Sequence, residues 1–133
     1  MPVYRTPREW LHAGNGPAWA GAARAGAFAV PATGGVFERH HHDDHEYWFI
    51  TSGRGKAVIG AERVYLRPGD IVLTRAGDEH DIVEIYEPLA GFFLETGQPA
   101  GGRSGHLYRG DPAAARHAVP LRPLPPDFPV GEH

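Results

Sequence analysis

The stretch GGVFERHHHDDHEYWFITSG, residues 34 to 53, sets four histidines and four carboxylates around the start of a run of strong strand formers, Glu46 to Thr51. A histidine run is a purification tag or a metal site, and a mid-chain position interrupted by acids argues against the tag. Residues on either side alternate with the two-residue period of a strand. In VFERHHH, the parity puts Val36, Glu38, His40 and His42 on one face and Phe37, Arg39 and His41 on the other. In EYWFIT, the clearest strand of the chain, Glu46, Trp48 and Ile50 oppose Tyr47, Phe49 and Thr51.

Working outward, GKAVIG, RVYLR, IVLT, DIVEIYE and AGFFLET follow as short apolar segments separated by glycine turns at GAE, PGD and AGDEH. Regular short strands between turn signals predict an all-β sandwich or barrel. Upstream, ARAGAFAV (residues 23 to 30) reads as a further strand, and TPREWLHA offers one helical turn with Thr6 as cap and Pro7 in its first position. Downstream, Asp111 caps a short helix that begins at Pro112, and a proline-rich tail follows, extended and unable to join a central strand. The expected organisation is one domain over residues 1–133. It has a barrel at about 23–96, an N-terminal arm at 1–22, and a helical turn with a proline-rich tail at 97–133.

A chain of 133 residues buries roughly two thirds of its unfolded surface and needs no staples. It has no cysteine, so any metal must be held by imidazole and carboxylate. The net charge of -3, with arginines scattered singly, supplies no basic stripe, and nucleic acid is not an expected partner. No apolar stretch approaches the ~20 residues that cross a bilayer, and MPVYRTPREW lacks a signal-peptide core. The expected setting is the cytoplasm, away from membranes.

Gly34, five residues, His40-x-His42, three residues, Glu46, six residues and Gly53 reproduce the first motif of the cupin superfamily, and the chain resembles that family. Gly69, Gly77 and His80 fit the second cupin motif. Arg75 stands there in place of the usual proline, and Glu84 in place of the usual asparagine. The resemblance implies a single jelly-roll β-barrel with short helical or extended terminal segments. It also implies one divalent transition metal per chain, held by His40, His42, Glu46 and His80. Strand parity agrees, since His40 and His42 project to one side and strands starting at Glu46 and His80 bring their side chains to the same interior. Such a ligand set suits Fe, Mn, Zn, Ni or Cu and does not choose among them.

Other residues enter by position. Glu38 and Glu84 share the parity of the ligand histidines and are candidate general bases, Trp48 a candidate cavity wall, and Arg75 a candidate fork for a substrate carboxylate or phosphate. His41 and His45 are expected to be exposed, Asp43 and Asp44 to form a solvated turn, and His12, His106, His117 and His133 carry no signal. The resemblance implies a metal-dependent enzyme for a small polar oxygenated molecule, of isomerase, lyase, cyclase or dioxygenase type. The alternative is a non-catalytic cupin whose metal anchors a small ligand, and an open, polar interior around the metal discriminates for the enzyme. Outward Tyr47 and Phe49 form an apolar patch that predicts a homodimer.

Overall fold

The protein is described by a computed structural model over residues 2–130. His133 lies outside the described residues. Seven strands dominate: β1 (Arg24–Val30), β2 (Val36–Glu38), β3 (Glu46–Ile59), β4 (Glu62–Leu66), β5 (Ile71–Thr74), β6 (His80–Glu95) and β7 (Arg116–Ala118). One four-residue helix, α1 (Pro112–Ala115), and one 3-10 turn, Ala18–Ala20, are the helical elements among the described residues. Asp111 caps α1 by accepting from the Ala113 amide at 3.0 Å, the arrangement that Asp-Pro predicts. No helix among the described residues is long and apolar enough to cross a membrane.

The main sheet is antiparallel in the order β1-β6-β3-β4, with β5 paired to the first half of β3, and β2 and β7 form a second, two-stranded sheet. The barrel is not closed: β2 and β7 stand as a separate sheet. Between the layers lies a core of Val30, Trp48, Ile50, Leu66, Ile82, Ile85, Leu89 and Val119. Phe128 of the tail is also buried and sits against Tyr65 and Tyr86, with ring centroids at 4.9 and 5.7 Å. The proline-rich tail therefore folds back onto the barrel. Its backbone also pairs with β6 at the bridge of Leu121 to Ile85.

Two pairs of expected strands are single bent ones. EYWFIT and GKAVIG run together as β3, and DIVEIYE and AGFFLET as β6. The bend is where Gly53, at φ +86°, passes so close to Pro88 that a Cβ would lie 1.9 Å from the Pro88 carbonyl oxygen. Only glycine fits there, and the β3/β6 register shifts repeatedly around it. Pro88, which cannot donate to the ladder, occupies the irregular stretch where no donor is required.

A further irregularity relocates Glu84. Ala57 faces Ile82 while Lys56 faces Glu84, so one extra residue, Val83, is inserted on β6 and the side-chain parity reverses. Ile82 and Ile85 are consequently both fully buried, and Glu84 leaves the interior to sit opposite Lys56 and beside Tyr86. Strand parity counted from His80 misses this inserted residue. The N-terminal segment around Thr6 is a turn and not a helix, and Leu11 beyond it bridges to Ala25 on β1. That arm lines a groove on the outer face together with Phe49, Phe92 and Leu94, and Phe92 stays exposed. Ile71 and Leu73 on the same face remain exposed.

Candidate functional site

The strands deliver four polar side chains to one end of the interior. His40 and His42 follow β2 on an irregular segment tied to β6 by a two-way backbone bridge between His40 and His80. Glu46 opens β3 and His80 opens β6. All four are buried: His40 4%, His42 5%, Glu46 6% and His80 1% exposed. His80 Nε2 stands 3.0 Å from His40 Nε2 and 3.2 Å from Glu46 Oε1, and His42 Nε2 lies 4.0 Å from Glu46 Oε2.

Those spacings fit a shared metal. Donor atoms that would share one ion at about 2.0–2.2 Å can stand no more than about 4.4 Å apart, and all three distances lie within that limit. Buried His42 Nε2 has no hydrogen-bond partner, an orphan that an ion would satisfy. Backing groups set the ring orientations: His40 Nδ1 contacts the Glu38 carbonyl oxygen at 2.5 Å, and His42 Nδ1 contacts Glu95 Oε1 at 2.5 Å. With a proton on each Nδ1, both rings turn Nε2 toward the cluster, the arrangement that outer partners of metal-binding histidines produce. Trp48 Nε1 donates to Glu46 Oε1 at 2.7 Å and holds that carboxylate in place.

Electrostatics divide the cluster. Burial, then the neighbouring His80, lowers the His40 pKa to about 2, so this ring is neutral throughout the physiological range. Burial opposes charge on His42, but the bond to Glu95 and the nearby Glu46 carboxylate outweigh it and its pKa is raised. On Glu46 burial is likewise overridden, by the hydrogen bond and charge of His80, and its pKa is lowered. Behind His42, burial and the neighbouring Glu95 raise the pKa of Asp44, which is itself buried.

A proton and a metal therefore compete chiefly at His42. A raised pKa means that the proton begins to win above pH 6.5, the ordinary histidine value. Metal affinity is expected to be level in the alkaline range and to fall, by up to about tenfold per pH unit for one displaced proton, as the solution acidifies through neutrality. Glu95→Gln lowers the His42 pKa and moves the onset to lower pH. Metal competition titrations from pH 8 to 5 check this, and coincident curves for the two proteins sink it.

His40, His42 and Glu46 form the floor of a cavity of about 260 Å³, with His80 buried behind them, and its walls are aromatic rings that include Trp48, Phe37 and Phe28. The interior is open, and it is polar at the floor. His106 reaches into the cavity from the loop after β6 and stacks on His40, with ring centroids 3.7 Å apart and planes 15° apart. His40, His42 and His106 each bring a ring nitrogen within 4.8 Å of the others, so His106 stands beside the quartet as a further donor. Its Nδ1 lies 3.5 Å from Glu38, whose carboxylate accepts from the Tyr108 hydroxyl at 3.0 Å.

Of the residues predicted from sequence, His40, His42, Glu46, His80 and Trp48 are brought together. Glu38 stands one layer behind, as the partner of His106. The strand ends at Glu38, and the irregular segment after it puts Phe37 and His40, not Glu38 and His40, on the cavity side. Glu84 lies on the outer face, and Arg75 is a solvated loop residue whose nearest acid is Asp78 at 3.8 Å. His41 and Asp44, expected to be exposed, are buried; His41 is enclosed where its backbone bridges to Leu107. The residues missed were Asp44, Glu95 and His106. A signal for Glu95 existed, because it shares the parity of Gly91 and Phe93 and is thus an acid on an inward face. His106 sits in a glycine-rich loop with no periodicity to place it.

A buried His/Glu cluster thus sits at one end of a two-layered antiparallel β fold, an arrangement of donors able to hold a metal. The family model described as Cupin domain matches residues 27–89, a little under half of the chain. An uncharacterized protein, y4oW, of Sinorhizobium fredii is 36% identical over 72 residues, which are 54% of this chain and 33% of the relative. This chain thus matches only about a third of the length of that relative. Among solved structures, the DMSP lyase DddQ of Ruegeria pomeroyi is similar with a TM-score of 0.57 and 23% identity, over 68% of this chain and 44% of that one. An uncharacterized protein of Klebsiella pneumoniae with a double-stranded β-helix domain gives a TM-score of 0.53 at 18% identity, over 67% and 77% of the two chains. At these identities the likeness is one of fold.

Proposed function

We propose that the protein is a metal-dependent enzyme that acts on a small oxygenated molecule by proton transfer. His40, His42, Glu46 and His80 hold one divalent transition metal. The observation that carries this reading is the convergence of the His40, His42, Glu46 and His80 side chains, with buried His42 Nε2 lacking a partner, beneath an open cavity that His40, His42 and Glu46 line. When bound, such a metal supplies Lewis acidity to a substrate oxygen.

The chain's own residues supply the rest. Trp48 fixes Glu46 and, with Phe28 and Phe37, shields the floor from water. His106 is the proton acceptor. Burial and the neighbouring His42 lower its pKa, which keeps the ring neutral and able to take a proton at neutral pH. Glu38, held by Tyr108, faces His106 Nδ1 and stabilises the imidazolium as it forms. Glu38 is thus a positioning residue, and Glu84 has no part in the reaction.

Elemental analysis of protein purified without added metal, followed by a panel of small oxygenated metabolites with and without air, tests the reading. One transition metal per chain with oxygen-independent turnover is expected. Turnover that consumes oxygen would replace proton transfer by a dioxygenase reaction, and a metal-free protein would overturn the proposal.

A further inference from the structure

The metal-centred reading leaves the upper part of the same cavity unexplained, and its lining is unusual for a site meant for a sugar or another fully polar molecule. Trp10, Phe28, Phe37, Trp48 and Phe93 enclose it with flat apolar faces. Trp48 is clamped by its bond to Glu46, and Phe28 and Phe37 pack on it with centroids at 5.6 and 6.0 Å, so the walls are set before any ligand arrives. Rigid aromatic faces favour a flat apolar body, by offset or edge contact.

One cation joins those rings. Arg24 begins β1 on the same face as Phe28 and Val30, opposite Glu95 in the sheet register, and lines the cavity. Glu95 is engaged by His42 at 2.5 Å. Among the described residues Arg24 makes no ion pair, hydrogen bond or cation–π contact. Arg24 is half-buried beside the aromatic walls with no anion of the protein on its side chain, which places it to receive one from a ligand. Its planar fork matches a carboxylate with two parallel N–H···O bonds.

We infer that the cavity binds a planar aromatic or conjugated carboxylate, with its flat body between the aromatic walls and its carboxylate on Arg24. At about 260 Å³ the cavity falls below the ~300 Å³ at which pockets for drug-sized ligands begin, so the occupant is a single ring or its equivalent. The inference rests on the metal-centred reading of this site and adds the class of molecule.

Calorimetric titration of the metal-loaded protein with benzoate, benzamide and acetate tests it. Benzoate carries both features, benzamide keeps the ring without the charge, and acetate keeps the charge without the ring. Benzoate is expected to bind at least about tenfold more tightly than either, since one charge-assisted bidentate contact or one buried ring face is each worth a factor of that order. Arg24→Met, which retains the apolar stem, is expected to abolish the advantage of benzoate over benzamide at unchanged metal content. Arg24→Lys is expected to restore part of it. Acetate or benzamide binding as tightly as benzoate overturns the inference, and so does an Arg24→Met protein with an unchanged benzoate Kd or the absence of benzoate binding at millimolar concentration. Metal content measured on the same samples keeps the two readings apart. A fully loaded protein indifferent to the three probes sinks the substrate class alone, whereas a protein that takes up no metal sinks the metal-centred reading beneath it.

Discussion

His42→Ala and His80→Ala are each expected to strip the metal while leaving the barrel folded. Losing an outer partner of a metal ligand costs about 10–100-fold in affinity, and losing the ligand itself costs at least as much. The fold survives because strand register is set elsewhere, by the buried set Trp48, Ile50, Ile82, Ile85 and Leu89 and by the glycine bend at Gly53. His80 is 1% exposed, so its truncation also leaves a small cavity and lowers the melting temperature; His42→Ala does so less. His41→Ala is the control. That ring is buried and its Nδ1 has no partner, yet it does not line the cavity, and metal content should stay at the level of the unaltered protein. Metal analysis and far-ultraviolet circular dichroism on one set of samples decide the matter. Full metal in either ligand variant, or equal loss in His41→Ala, would remove the quartet from the site.

The same geometry shows which parts of the molecule could be read from the residue pattern. Alternation along Glu46, Trp48 and Ile50 is carried by side chains that the core selects, and the structure buries all three. Local punctuation was also legible: Asp111 and Pro112 begin the only α-helix among the described residues, and Gly69 turns between β4 and β5 at φ +94°. What failed was counting across an irregularity. A strand's parity is a running count, so the residue inserted at Val83 turned Glu84 outward, and the break after Glu38 separated it from His40. Neither irregularity has a signature in composition, because each is imposed by the partner strand. The buried carboxylates Asp44 and Glu95 were hidden for a different reason. A charge reads as solvated until the partner that compensates it is known, and here that partner is His42, fifty-three residues from Glu95 in sequence.

Removal of the His106 imidazole is expected to cost turnover of about 10²-fold or more without loss of metal. The ring stacks on His40 and is not one of the four proposed ligands, so His106→Ala removes the proton acceptor and spares them. Glu38→Gln is expected to cost less, since that carboxylate acts only through His106, and Glu84→Gln should leave turnover intact beside Lys56 on the outer face. The pH profile separates a chemical role from a structural one. His106 titrates below the ordinary histidine value because burial and His42 oppose its charge, while Glu38 pulls the other way. Its pKa is the acid limb of kcat/KM, so that limb should lie below pH 6.5 and move to still lower pH in Glu38→Gln, where the anion that favours the imidazolium is gone. A structural lesion in the loop would lower the rate at every pH and leave the limb in place. A His106→Ala protein with full metal and an unchanged rate would pass the role to Glu95, the remaining carboxylate of the cavity wall that is not proposed as a ligand.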